Sequence, residues 1–252
     1  MIFEGPSNLV VDESAQQYLA AVSLEISPDD HMFVDNLEHY LSCGASALNA
    51  ITAMLSLAGS AEPQRILDFG AGAGRVTRWL QAAFPHAAIE ACDVRDADVA
   101  FCRDRLGVEA WRSSIEIDAL HAPNSYDLTW AGSVLTHLAA ENTVRMLRRW
   151  LDWTNPGGLV IATTHGRTAV AFAEAGRNRY IEPEGWPQVI GGYRTSGYGY
   201  ADYAGWPDYG VSFTSLAWTA QLVESWPDVR LVAISERAWD AHQDVVALQK
   251  LG

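Results

Sequence analysis

The sequence has few cysteines and no positive charge near its start. Its 252 residues include three cysteines, Cys43, Cys92 and Cys102. An odd number of cysteines without a C-x-x-C pair predicts a reducing compartment, with no disulfide framework and no cysteine-based zinc site. No lysine or arginine precedes Arg65, whereas secretory and transit peptides begin with a positive region. We therefore expect no such leader and a cytoplasmic location.

Positive charge is scarce in the chain as a whole, since the formal net charge is −14 at pH 7. An acidic protein repels nucleic-acid phosphates unless a basic stripe compensates. The nearest candidate stripe, Arg145, Arg148 and Arg149, has a helical spacing that indicates a solvated helix face. We therefore expect no nucleic-acid partner.

Long uninterrupted hydrophobic runs are also absent. The most apolar stretch, residues 45–61, is broken by polar side chains, so it predicts a buried helix and no membrane span. A helical pattern over residues 33–57, ending at Gly59, places this stretch in an N-terminal helical cap that comprises residues 1–61.

Residues 62–252 alternate between apolar runs and amphipathic segments. Such alternation predicts βαβ units and a mainly parallel sheet with helices on both faces. The expected strands are residues 65–69, 88–94, 108–111, 126–131, 159–164, 229–237 and 243–250, the last two forming an antiparallel pair. The expected helices are residues 75–84, 96–106, 141–153 and 214–225.

Residues 167–213 interrupt this alternation. They are rich in Gly, Tyr, Trp and Pro and show little periodicity. A long loop inside a compact domain is usually functional, and the aromatic content argues against disorder. We expect this segment to be a loop that closes over the active site as a lid.

A glycine-rich run, Asp-Phe-Gly-Ala-Gly-Ala-Gly-Arg, occupies residues 68–75 between the first expected strand and helix. Glycines there let the backbone approach a ligand, and the helix start adds free N–H groups. A dinucleotide fingerprint would need glycine at position 75 or 77, where Arg75 and Thr77 stand, and a P-loop would need G-K-[ST]. What remains is an acidic residue followed by G-x-G-x-G. The alternative is a tight turn without a ligand.

A second carboxylate, Asp93, ends the second expected strand. It follows Gly70 by 93 − 70 = 23 residues, close to the offset of about 20 for a ribose-binding carboxylate. Its alternative role is a helix N-cap. Asp96 is better placed for that role, which leaves Asp93 free for a ligand.

These two features in register resemble motifs of the class I S-adenosylmethionine-dependent methyltransferases. Residues 126–130 and the turn Pro156-Gly157-Gly158 resemble the family's fourth strand and the turn before its fifth. The resemblance covers residues 62–166. It implies an α/β fold with a doubly wound, seven-stranded, Rossmann-like methyltransferase sheet, here with the N-terminal helical cap and the aromatic-rich insert after strand five.

The resemblance implies S-adenosylmethionine as cofactor and S-adenosylhomocysteine as product. It implies that the loop wraps the methionine part, that Asp68 holds its ammonium group and that Asp93 binds ribose. Where many members place an acidic residue near adenine, this chain has Ser113-Ser114-Ile115. The expected cofactor-binding residues are Asp68, Gly70, Ala71, Gly72, Gly74, Arg75, Asp93, Val94, Ser114 and Ser133.

Four further phrases occur together at residues 136–138, 163–166, 197–203 and 242–245. They resemble bacterial methyltransferases associated with glycosyltransferases and surface-polysaccharide biosynthesis. This narrower resemblance implies a sugar hydroxyl as methyl acceptor.

Three histidines are candidate catalytic bases, because a hydroxyl acceptor must lose a proton and imidazole has a pKa of about 6.5. His165 ends strand five and His137 follows strand four, at the sheet edge where ligands bind. His242 lies between Asp240 and Asp244. We rank His165 first, His137 second and His242 third. Each histidine has the alternative of being an ordinary hydrogen-bonding residue at a strand end.

Aromatic side chains of the insert are candidate acceptor contacts, since they combine a large contact area with a polar group. The candidates are Tyr198, Tyr200, Tyr203 and Trp206. The alternative is that they pack the insert against the sheet. Carboxylates and histidines lack the spacing of metal ligands, so the sequence predicts no metal site.

The favoured function is O-methylation of a glycan or small-molecule hydroxyl. The alternatives are N- or C-methylation of a small metabolite, a non-catalytic partner subunit that keeps the fold, and an NAD-dependent oxidoreductase, against which the glycine spacing argues. The sequence gives no indication of oligomeric state.

Overall fold

The computed structural model describes residues 13–252. Its main sheet has seven strands in the order β3-β2-β1-β4-β5-β9-β8, and β6 pairs with β7 in a separate hairpin. The strands are β1 Arg65–Phe69, β2 Ala88–Asp93, β3 Glu109–Arg112, β4 Tyr126–Ala131, β5 Thr154–Thr164, β6 Tyr198–Tyr203, β7 Trp206–Thr214, β8 Val229–Trp239 and β9 Gln243–Lys250. Strands β1 to β5 are parallel, and β9 is antiparallel to both neighbours. The predicted seven-stranded α/β sheet is confirmed.

Helices cover both faces of this sheet. They are α1 Glu13–Gln16, α2 Leu37–Ala58, α3 Thr77–Ala83, α4 Asp96–Phe101, α5 Ala140–Trp153, α6 Arg167–Glu174, α7 Trp186–Ser196 and α8 Leu216–Glu224. Helix α4 continues as one π-helical turn, Cys102–Leu106, and ends at Gly107 in the left-handed conformation. Glycine is favoured at this position because it has no Cβ that would clash in the left-handed conformation.

The long helix α2 packs on the sheet. Its Leu48 and Ile51 share one hydrophobic core with Ile66 of β1 and Trp130 of β4. By length and composition alone α2 could cross a membrane, but half of its apolar window is buried inside the protein, as predicted for a core helix. Residues 1–12 of the expected cap lie outside the described residues.

The opposite face of the sheet is covered by α5. Its Trp150 is fully buried and meets Phe69 of β1 edge-on, with ring centroids 5.2 Å apart. On its outer side, Arg148 pairs with Asp228 at 2.9 Å and Arg145 pairs with Asp118 at 2.7 Å. These arginines therefore lie on a solvated helix face, as expected.

Several element boundaries differ from the sequence prediction, and for two of them the structure shows the cause. Strand β5 begins at Thr154 because this residue pairs with Tyr126 across a register shift. Thr214 belongs to β7, and α8 begins after Ser215, whose side chain accepts a hydrogen bond from the Trp218 N–H. A serine N-cap of this kind fixes where a helix starts.

The expectation that residues 167–213 form an irregular loop is wrong. The insert folds into α6, α7 and the β6–β7 hairpin around its own small core. The glycines of the insert suggested a loop, but two of them allow neighbouring backbone segments to pack closely. A Cβ on Gly199 would lie 1.8 Å from the Val189 carbonyl oxygen, and one on Gly210 would lie 2.0 Å from that of Ala201.

Candidate active site

The glycine loop turns sharply at the carboxyl end of β1. Gly70, Gly72 and Gly74 have φ values of 71°, 53° and 77°, a region that L-residues rarely adopt. The Gly70 and Ala71 N–H groups donate to the Cys92 carbonyl at 2.9 and 3.0 Å. These bonds hold the loop across the end of β2.

The glycines of this loop have different surroundings. A Cβ on Gly74 would lie 2.3 Å from Leu106 Cδ1, whereas no described heavy atom lies within 4 Å of a Cβ on Gly72. Gly74 is therefore needed for packing between the loop and the turn after α4. Gly72 exposes its backbone to open space at the carboxyl edge, where a ligand can approach.

Asp68 is buried beneath this loop and is 2% exposed. Its Oδ2 accepts a hydrogen bond of 2.7 Å from Thr77 Oγ1. Burial raises the pKa of Asp68 to about 7, and the nearby Asp93 adds to the effect. A buried carboxylate in this position is stabilised by an added cation, such as an ammonium group.

Asp93 joins the loop to α4. Its Oδ2 accepts from the Gly72 N–H at 2.9 Å, and its Oδ1 accepts from the Arg95 N–H at 3.0 Å. The expectation that Asp96 caps α4 is wrong, because Asp96 is the first helical residue and its carboxylate pairs with Arg112 at 3.1 Å. Asp93 therefore has a structural task beside any ligand contact.

Apolar side chains stand at the expected adenine position. Val94 is 41% exposed and Ile115 is 82% exposed. Their strand ends adjoin, since the Ser113 N–H donates to the Asp93 carbonyl at 2.9 Å. Ser114 lies beside them, and its Oγ accepts from the Glu116 N–H at 3.0 Å. Sequence reasoning sought an acidic residue here and so missed Ile115.

Ser133 connects three strand ends. It has a positive φ of 62°, and its N–H donates to Thr163 Oγ1 at 2.7 Å. Thr163 Oγ1 donates to Gln243 Oε1 at 2.5 Å, and Gln243 Nε2 donates to Ser133 Oγ at 3.1 Å. Thr163 and Gln243 were missed because β5 and β9 meet only in the folded sheet.

His137 and His165 both hold strand β7. Their Nδ1 atoms lie 2.9 Å from the Gly210 carbonyl oxygen and 3.2 Å from the Ser212 carbonyl oxygen, respectively. A carbonyl only accepts, so each Nδ1 carries the proton and each Nε2 keeps its lone pair. Burial lowers both pKa values, that of His165 to about 3.

His242 lies beside His165, with ring centroids 5.4 Å apart. Its Nε2 is hydrogen-bonded to the Tyr180 hydroxyl, and burial lowers its pKa. His137 stacks on Tyr209 at 4.9 Å and is close enough to His165 to help lower its pKa. The fold thus brings two of the three predicted histidines into ring contact and places the third under the β6–β7 hairpin.

Comparisons with known proteins agree with this arrangement. A family model described as a methyltransferase domain matches residues 66–158. The malonyl-[acyl-carrier protein] O-methyltransferase of Paenibacillus sp. (strain JDR-2) is 29% identical over 139 residues, covering 50% of this chain and 49% of that protein. The N-terminal Xaa-Pro-Lys N-methyltransferase 1 of Ailuropoda melanoleuca is 31% identical over 100 residues, covering 38% of this chain and 44% of that protein.

The chain therefore spans about half the length of the curated relatives it matches. One solved structure, the plantazolicin methyltransferase in complex with S-adenosylhomocysteine, has a TM-score of 0.57 at 15% identity and covers 94% of each chain. Residues 66–158 therefore carry a methyltransferase domain, and the fold of the chain is the one found in solved S-adenosylmethionine-dependent methyltransferases.

The β6–β7 hairpin lies against His137. Tyr203 OH is 3.3 Å from His137 Nδ1, and Tyr209 stacks on the same ring. Burial, and then the nearby Asp93 carboxylate, raise the pKa of Tyr209. Trp206 stands at the tip and is 65% exposed. Tyr209 therefore lies against His137 and within electrostatic range of Asp93.

Two predicted acceptor residues, Tyr198 and Tyr200, bond to other parts of the protein. Tyr198 is 7% exposed, and its hydroxyl bonds the Leu138 carbonyl at 2.7 Å and Thr143 Oγ1 at 2.6 Å. The Tyr200 hydroxyl donates to Asp202 Oδ1 at 2.6 Å. Tyr198 thus packs the hairpin on α5, which was the stated alternative.

Proposed function

We propose that this chain is an S-adenosylmethionine-dependent methyltransferase that methylates a hydroxyl group of a small molecule or glycan. Cofactor binding is supported by the placement of two carboxylates, Asp68 and Asp93, around the open Gly72 backbone. A buried anion suits the methionine ammonium, and a carboxylate at the end of β2 suits the ribose hydroxyls.

The other predicted cofactor residues take supporting roles in this proposal. Gly70, Ala71 and Gly74 shape the loop, Arg75 ends it, and Ser133 follows the neighbouring strand β4. Val94 and Ser114 flank the adenine position. When bound, the cofactor supplies an electrophilic methyl group on a sulfonium, so the protein has to bind, orient and deprotonate the acceptor.

We assign the general base to His137, ahead of His165 and His242. His165 is held neutral, because burial lowers its pKa to about 3, and so it is a weak proton acceptor. His242 Nε2 is already bonded to Tyr180. His137 is less buried than His165, and among the described residues nothing bonds its Nε2. It can therefore take a proton while its Nδ1–H stays fixed on Gly210.

The acceptor surface in this proposal consists of Tyr203, Trp206 and Tyr209. Their rings form successive edge contacts, 5.4 Å between Tyr203 and Tyr209 and 6.4 Å between Trp206 and Tyr209. Aromatic surfaces of this kind stack on sugar rings and on flat molecules. The polysaccharide association rests on the narrower sequence resemblance.

Titration calorimetry tests whether the chain binds the proposed cofactor. We expect saturable binding of S-adenosylhomocysteine and no binding of NAD. Asp93→Asn should weaken binding by about 10- to 150-fold, because a hydrogen bond to a charged group contributes about 1.5–3 kcal/mol. The matched control is Asp96→Asn, which removes an exposed carboxylate three residues away. Equal affinities in both variants would contradict the proposal.

N-methylation is the second candidate, since one of the two relatives is named as an N-methyltransferase. A panel of sugar, phenol and amine acceptors with labelled cofactor separates the two. O-methylation with His137 as base should reach a plateau below neutral pH, whereas amine methylation should keep rising into alkaline pH as the amine loses its proton. Cofactor binding without transfer to any acceptor would favour a non-catalytic partner subunit.

A further inference from the structure

A cluster of three metal-binding side chains lies outside the active site. His39 and Cys43 are on α2, and Asp240 is in the turn between β8 and β9. One ligand atom from each residue lies within 4.8 Å of the other two. The sequence predicted no metal site because Asp240 joins the other two residues only through folding.

The distance between Cys43 Sγ and His39 Nε2 fits a zinc site. It is 3.7 Å. Tetrahedral zinc with bonds of about 2.3 Å to sulfur and about 2.0–2.1 Å to nitrogen separates the two ligand atoms by about 3.6 Å. Little movement is therefore needed for both atoms to reach one ion, and the Asp240 carboxylate has to close in by about 1.5 Å at most.

The positions of these side chains are fixed by the fold. His39 and Cys43 are four residues apart on a helix and so share one face. The Asp240 N–H donates to Ser46 Oγ at 2.8 Å, and Trp239 Nε1 donates to the Cys43 carbonyl at 3.0 Å. These two bonds hold the turn against α2, so the ligands are arranged before any ion binds.

The charges of the cluster also suit a divalent cation. A Cys43 thiolate and the Asp240 carboxylate balance a charge of +2, and His39 adds a neutral ligand. The Cys43 side chain is buried as a free thiol, so the ion has to displace the thiol proton to solvent, as metal ions do at thiol ligands.

We propose that His39, Cys43 and Asp240 bind a zinc ion that joins α2 to the β8–β9 turn. His39 and Asp240 are exposed, which leaves an entry path and a fourth position for water. Trp239, next to the ligand Asp240, meets Trp130 of the central sheet at 5.5 Å. The ion thus stabilises the contact between α2 and the end of the sheet. This proposal is independent of the methyl acceptor.

The test uses the full chain without an affinity tag, stripped of metal with a chelator and titrated with Co²⁺. We expect one Co²⁺ per chain, the visible bands of a tetrahedral ion and a thiolate-to-cobalt charge-transfer band, all removed by added Zn²⁺. Cys43→Ser should abolish the charge-transfer band. His39→Gln and Asp240→Asn should each weaken binding by about 100-fold or more, since outer-sphere losses alone cost 10- to 100-fold.

His86→Gln is the matched control, because His86 is exposed and distant from the cluster in sequence. It should leave Co²⁺ binding unchanged. Binding of S-adenosylhomocysteine by each variant serves as the check on folding. Absence of Co²⁺ binding, or a charge-transfer band that survives Cys43→Ser, would overturn the proposal and leave the cluster as hydrogen bonds only.

Discussion

The two sides of the candidate active site are built differently. The cofactor side consists of backbone turns within residues 68–75 and the end of the neighbouring strand at Asp93. The acceptor side consists of side chains from distant segments, where His137 and His165 reach the carbonyls of β7. A site formed by local backbone can be recognised from a short sequence motif, whereas a site formed by long-range contacts cannot.

The largest effect is expected on the acceptor side, from His137→Asn. The amide can still donate to the Gly210 carbonyl, so the hairpin stays anchored, but it cannot take a proton. General-base catalysis contributes about 100- to 10,000-fold, and single-turnover methyl transfer to a hydroxyl should slow by that factor. S-adenosylhomocysteine affinity should stay unchanged. A loss smaller than about threefold would remove His137 from the mechanism.

The next largest effect is expected from the Asp68 carboxylate, which lies on the cofactor side and makes the stability of the protein depend on pH. Because its pKa is raised to about 7 in the folded chain and is about 3.9 when unfolded, the folded state binds the proton more tightly. The cofactor-free protein should therefore lose stability as pH rises from about 4 to about 7, by at most about 4 kcal/mol. Denaturant titrations across this range should show the loss, and Asp68→Asn should flatten it. A loss that persists unchanged in Asp68→Asn would assign the pH dependence to other groups.

Two glycine variants distinguish the role of the loop in ligand binding from its role in packing. Gly72→Ala has room for its Cβ and should cost about 1 kcal/mol of stability, yet reduce S-adenosylhomocysteine affinity at least tenfold. Gly74→Ala would clash with Leu106 and should lower the melting temperature further. Thermal unfolding and calorimetry measure both quantities. If Gly72→Ala binds the cofactor normally, the ligand does not pass over this backbone.

The smallest effects separate acceptor contact from packing in the hairpin. Trp206→Ala should raise the acceptor KM by about 2- to 13-fold at unchanged kcat, since aromatic stacking contributes about 0.5–1.5 kcal/mol. Tyr198→Phe should leave KM unchanged and cost about 1 kcal/mol of stability, because it removes buried hydrogen bonds. The reverse pattern would exchange the roles of the two residues.

The sequence predicted strands β1 to β4 and β9 to within a residue or two, because hydrophobic runs bounded by turns report local structure. It also placed Asp68 and Asp93 at their strand ends. It failed at the insert, where Gly199 and Gly210 permit close packing instead of marking a loop. It also missed Thr163 and Gln243, which meet only through the sheet order, and Tyr180, which reaches His242 only when the insert folds.

Amide hydrogen exchange of the full chain, with and without S-adenosylhomocysteine, tests most directly whether the cofactor binds at the glycine loop. The account predicts that the ligand protects residues 70–77 and 93–95 most strongly, with weaker protection along β7. NAD should protect neither segment. Protection by S-adenosylhomocysteine elsewhere, with the glycine loop unchanged, would contradict the assignment of Asp68, Gly72 and Asp93 to the cofactor site.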